Sequence, residues 1–105
     1  MIMFTEEQRA GWCVVGARGR ADAEAAEELE SVLRSAVEKS PKVAADFSAL
    51  SYISSAGLRA VIQAARAAQG AKVDFVICSL TEPVRRVFDM SGLQSILHVQ
   101  GELPC

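Results

Sequence analysis

Apolar and polar positions change period several times along the chain, and each change marks an element. Ala25, Leu29, Val32, Leu33, Ala36 and Val37 recur at spacings of three and four, which predicts one amphipathic helix. Asp22 stands ahead of it as an N-cap, and Glu24, Glu27 and Glu28 fall in its first turns, where the helix dipole favours acid. Ser40-Pro41 ends it. A second stripe, Leu58, Val61, Ile62 and Ala65, leaves Arg59, Gln63 and Arg66 on the opposite face. Ser54 or Ser55 can cap that helix, and Gly70 is its expected stop. A third helix opens at Thr81-Glu82-Pro83, with Thr81 as cap. It turns Val84, Val87 and Phe88 inward and stops at Gly92, with Leu93 placed for the apolar contact that follows a left-handed cap.

Between the helices the pattern is that of strands. Residues 2–9 and 12–15 flank the turn Ala10-Gly11 and predict an antiparallel hairpin. Residues 16–20 read as a Gly/Arg connection. Residues 43–48, apolar apart from Asp46, and residues 73–78 read as buried strands, and residues 96–99 as a last short one. The order is β-β-α-β-α-β-α-β. Strands alternating with helices imply crossover connections, hence an α/β fold with a mixed, mostly parallel sheet. Leu29, Leu33, Val61, Ile62, Phe75 and Phe88 are the expected core.

Composition narrows the function classes. The 105 residues suit one domain spanning residues 1–105. A net charge of −2, with no basic stripe, argues against direct nucleic-acid binding. No apolar run approaches the roughly 18 residues of a membrane span, so no membrane insertion is expected. Residues 1–7 have neither the basic segment nor the apolar core of a signal peptide, which points to a cytoplasmic protein. Three scattered cysteines and the single His98 cannot make a closed zinc site, so no metal or cofactor is expected. Cys13 and Cys78 sit in apolar runs as small buried hydrophobes, and the terminal Cys105 is expected to be exposed.

The candidate chemistry lies in residues 46–59, where a buried strand runs into a loop that delivers Ser54 and Ser55 to a helix start. Free backbone N–H groups and the positive dipole end gather there, so the serines can act as simple caps or carry a phosphate. The loop lacks the G-x-S-x-G of a hydrolase elbow, and only His98 could serve as a base. Gly16-Ala17-Arg18-Gly19 matches no phosphate-binding loop and reads as a turn. Asp46 either hydrogen-bonds the serine loop or stands in solvent at the edge of the sheet where ligands of open α/β folds collect.

Tyr52-Ile53-Ser54-Ser55-Ala56-Gly57-Leu58 resembles the phosphorylation loop of STAS-domain anti-sigma factor antagonists. Phe88-Asp89-Met90-Ser91-Gly92-Leu93 is similar to that family's last-helix signature, and Gly19-Arg20-Ala21-Asp22 to the Gly-x-x-Asp before its first helix. The resemblance spans nearly the whole chain. It implies a small domain with helices mainly on one face of the sheet. It also implies partner switching: the unmodified protein binds an anti-sigma factor that is a serine kinase of GHKL-type fold, and phosphorylation releases it. A PP2C-type phosphatase resets the cycle. The family phosphoserine, two residues before the glycine, maps onto Ser55. Ser54 stands where many members carry an acidic residue, and it is a second candidate acceptor. The expected protein is a phosphorylation substrate and not an enzyme. Its partner-binding surface combines Ser54, Ser55, Arg59, Gln63, Arg20, Asp22 and Asp46. The alternative within the family is an accessory subunit docked on a transporter ATPase or a signalling scaffold.

Overall fold

The computed structural model describes residues 2–92 and 99–101. The elements follow the expected order: β1 (Ile2–Arg9), β2 (Trp12–Ala21), α1 (Ala26–Lys39), β3 (Lys42–Ile53), α2 (Ser55–Ala71), β4 (Asp74–Cys78), α3 (Glu82–Ser91) and β5 (Val99–Gln100). The strands form one sheet in the order β1-β2-β3-β4-β5, with β1 antiparallel to β2 and the other neighbours parallel. Each crossover therefore advances one strand in the same direction. A right-handed crossover that always advances the same way always leaves its helix on the same side. One face of the sheet thus carries all three helices of the described residues.

Strand alternation separates the two faces. Cys13, Val15 and Ala17 on β2, Val43, Ala45 and Phe47 on β3, and Ile77 on β4 join the helix residues Leu29, Leu33, Val61, Val84 and Phe88 in the main core. The alternate residues Val14, Ala44, Val76 and Cys78 form a smaller cluster on the other face, with Trp12 packed against it. The Lys42 ammonium stands 5.6 Å from the centre of the Trp12 ring. Cys13 and Cys78 are buried, as their apolar surroundings suggested.

Two strands are longer than their patterns implied. β2 absorbs residues 16–20, because residues 16–19 pair with residues 2–5 of β1 and Arg20 pairs with Tyr52 of β3. A Cβ on Gly16 would lie 2.5 Å from Thr5 Oγ1, so a larger residue there would make the Thr5 hydroxyl rotate away. β3 runs on to Ile53 through two register shifts against β2, each adding a residue on β3. The spacing of Phe47, Leu50 and Ile53 is three, which no regular strand places on one face. The bulges take up the extra residues, and all three side chains end up fully buried.

Helix boundaries differ in detail. α1 begins at Ala26, because Asp22 caps a preceding turn: its Oδ1 accepts from the Ala25 N–H at 3.0 Å. α2 passes Gly70 and ends at Ala71, with Lys72 as its C-cap in the left-handed conformation at φ 60°. Thr81 occupies the N-cap position of α3 without capping it, and its hydroxyl donates to the Leu50 carbonyl at 2.7 Å instead. That bond pins the start of α3 to β3. Gly92 ends α3 at φ +69° as expected. Leu29, Leu33, Val61 and Phe88 are fully buried, whereas Ile62 and Phe75 are half-buried at the margin of the core. The α2 face is rotated toward Gly57, Ala60, Val61, Ala64 and Ala68. These mostly small side chains let α2 lie close beside α1, and Ile62 is left on the flank. Leu93, His98 and Cys105 lie outside the described residues, as does most of the strand expected at 96–99.

Candidate functional site

The start of α2 is held by Ser54. Its N–H and its hydroxyl both donate to the Ala21 carbonyl at the end of β2, at 2.9 and 3.1 Å. The same hydroxyl accepts from the Gly57 N–H at 3.1 Å, the N-cap bond of the helix. Ser54 thus spends its side chain on joining β2 to α2. Ser55, the first helical residue, is exposed, and its hydroxyl bonds to none of the described residues. Adjacent serines, which the sequence leaves equivalent as caps or acceptors, have opposite roles in the structure.

Gly57 is what lets this junction close. A Cβ there would come within 2.7 Å of the Ala21 carbonyl and 2.8 Å of Ile53 Cγ1. Ala21 O is the atom that holds Ser54, so it cannot give way freely. Gly57→Ala is expected to cost about 1–3 kcal/mol through this overpacking, although alanine is the better helix former. Urea unfolding checks the stability, and a variant as stable as the parent would contradict the close approach.

Around the junction stand other residues singled out in the sequence. Arg20 lays its guanidinium over the Tyr52 ring, 4.2 Å from its centre. Asp22 holds the turn on the other side of Ala21. Along α2 an open groove of about 390 Å³ runs toward α3, lined by Ser55, Leu58, Arg59, Ile62, Gln63, Arg66 and Ser91. Met90, the neighbour of Ser91, is 88% exposed. The groove therefore gathers Ser55, Arg59 and Gln63, while Arg20 and Asp22 flank Ala21, whose carbonyl holds Ser54 at the start of α2. The apolar period assigns Ile62 to the core stripe and Arg66 to the solvated face, and the structure brings both to this groove. Their spacing of seven and eleven from Ser55 is the sequence signal that places them on this flank.

Asp46 is elsewhere. It lies on the sheet face away from the helices, in a cavity of about 300 Å³ shared with Thr5, Gly16 and Ser48. Its Oδ1 accepts from the Ser48 N–H at 3.0 Å, so it steadies the first bulge of β3 and does not bond the serine loop.

Among the described residues that line it, the groove has two arginines and no carboxylate or histidine. None of these described lining side chains is a general base for Ser55. It offers a free hydroxyl, two cations and the apolar flanks of Leu58 and Ile62 to another molecule. Among the described residues, no group of three or more His, Cys, Asp or Glu could hold a metal ion. No helix of the described residues is long and apolar enough to cross a membrane.

Comparison with known proteins agrees with this geometry. The STAS domain family model matches residues 3–103. A relative from Bordetella bronchiseptica, BtrV, provisionally named an anti-sigma factor antagonist, is 36% identical over 99 residues, covering 93% of this chain and 85% of its own length. The crystal structure of an anti-sigma factor antagonist from Mycobacterium paratuberculosis superposes with a TM-score of 0.89 at 24% identity, over 98% of this chain and 88% of that one. The anti-sigma factor antagonist SpoIIAA shares the fold in its unphosphorylated form, with a TM-score of 0.75 at 22% identity over 92% of this chain and 87% of its own. Its phosphorylated form, from Bacillus, gives 0.68 at 21% over 92% and 90%.

Proposed function

We propose, from the premise that this chain belongs to the STAS domain family, that it is an anti-sigma factor antagonist switched at Ser55. Unmodified, it binds a serine-kinase anti-sigma factor of GHKL-type fold through the α2 groove and the Arg20–Asp22 turn. The kinase phosphorylates Ser55, the complex separates, and a PP2C-type phosphatase restores the hydroxyl. The same reading puts the protein in the cytoplasm, where the kinase finds its ATP. One observation carries it: of two adjacent serines, Ser54 is fully engaged in the cap while Ser55 is exposed and bonded to none of the described residues. A relative named as an anti-sigma factor antagonist, and SpoIIAA in both phosphorylation states, support it. The test is the complex with the cognate kinase, followed by size exclusion before and after ATP is added. Co-elution lost on phosphorylation supports the switch, and a complex indifferent to ATP contradicts it.

The groove's charge gives a second expectation. Arg59 is exposed, so Arg59→Glu leaves the fold intact while placing a carboxylate where the partner meets a cation. Kinase affinity should fall roughly five- to thirtyfold, about 1–2 kcal/mol. Circular dichroism checks the fold and calorimetry the affinity. Native affinity in the folded variant would remove this face of α2 from the interface.

A further inference from the structure

We propose that Arg59 is the internal receptor of the phosphate on Ser55, so that modification withdraws from the partner the cation the groove otherwise offers. The inference rests on the reading of Ser55 as the phosphorylated residue.

It is carried by a pattern repeated on the other two helices. On α1, Arg34 pairs with Glu30, four residues before it, at 3.3 Å. On α3, Arg86 pairs with Glu82, again four residues before it, at 3.3 Å. On α2, the residue four before Arg59 is Ser55. Side chains at this spacing lie on one helix face with their Cβ atoms about 5–6 Å apart. Ser55 and Arg59 do share a face, since both line the groove. Among the described residues, Arg59 has no acidic partner and no carboxylate lines the groove. Phosphorylation supplies the missing acid of the same pair. A phosphoserine brings roughly −1.5 to −2 charges and three acceptor oxygens, and the guanidinium fork matches them. Arg66, the other cation of the groove, stands eleven residues from Ser55, about 16 Å along the helix. The charged groups of the adjoining turn are Arg20, stacked on Tyr52, and Asp22, bonded to the Ala25 N–H. Neither changes when Arg59 is replaced.

The test needs no kinase. Phosphoserine is installed at position 55 during translation, and its phosphate is titrated by phosphorus NMR in the parent, Arg59→Gln, Arg59→Lys and Arg66→Gln proteins. A paired guanidinium favours the dianion. The second phosphate pKa should therefore be about 0.5 unit higher in Arg59→Gln than in the parent. Arg59→Lys should recover part of the difference, and Arg66→Gln should titrate as the parent does. An Arg59→Gln phosphate that titrates like the parent's, or an equal shift in Arg66→Gln, would overturn the proposal. Either failure leaves the switch at Ser55 standing. Conversely, a kinase that ignores Ser55 defeats the switch without touching the titration.

Discussion

Phe88→Ala lowers the free energy of unfolding by about 3–5 kcal/mol. Phe88 is wholly inaccessible to solvent and is among the largest fully buried side chains. With Val84 it makes the buried face of α3, the helix that closes the groove at Ser91. Removing the ring forfeits its transfer energy and leaves a cavity that the neighbouring strands, locked in the sheet, fill only in part. Domains of this size are stable by about 5–15 kcal/mol, so the variant retains a fraction of its margin. Urea denaturation with an unchanged m-value would report the loss cleanly. A loss below about 1 kcal/mol would contradict the position of α3 on the core.

Phosphorylation of Ser55 lowers affinity for the kinase by roughly a hundredfold or more, about 3 kcal/mol, while leaving thermal stability nearly unchanged. The two halves of this expectation have different causes. Ser55 is exposed at the first turn of α2, where added negative charge is favoured by about 0.3–1 kcal/mol, so the fold does not suffer. The partner does: a phosphate paired with one arginine still carries net negative charge into a surface from which water must leave. Ser55→Ala should bind the kinase constitutively and accept no phosphate. Ser55→Asp should bind with intermediate strength, since one carboxylate carries half the charge and fewer oxygens. Ser54→Ala should remain phosphorylatable at Ser55, but it loses the cap and about 1 kcal/mol of stability. Calorimetric titration of each variant with the kinase distinguishes these outcomes. Full affinity in the Ser55-phosphorylated protein would contradict them.

Much of the architecture is legible in the sequence, for physical reasons that also explain what is not. Helix stripes and β-rich runs declare the order of elements, because burial imposes a period on each. The period is also where legibility fails. Phe47, Leu50 and Ile53 are three apart, and only the β3 bulges, held in part by Asp46 on the Ser48 N–H, reconcile them with a strand. Asp46 is thereby drawn into backbone repair on the face opposite the groove, a role its place in the sequence does not reveal. Ile62 fits the apolar stripe of α2, yet the small residues Ala60, Ala64 and Ala68 take the buried seam, because helix packing rewards close approach as well as hydrophobicity. At the site, the motif identifies the serine pair but not its division of labour. The carbonyl of Ala21, 33 residues before Ser54, decides it by taking the Ser54 hydroxyl and leaving Ser55 free. The glycine of the motif also gains a cause there: a Cβ on Gly57 would stand 2.7 Å from the same carbonyl.

The central claim is that Ser55, and not Ser54, receives the phosphate. Its most direct measurement is phosphopeptide mapping by mass spectrometry after incubation with the cognate kinase and ATP. The cap geometry predicts phosphate on Ser55 in the parent and in Ser54→Ala, and none in Ser55→Ala. Phosphate confined to Ser54, or undiminished labelling of Ser55→Ala, would contradict it.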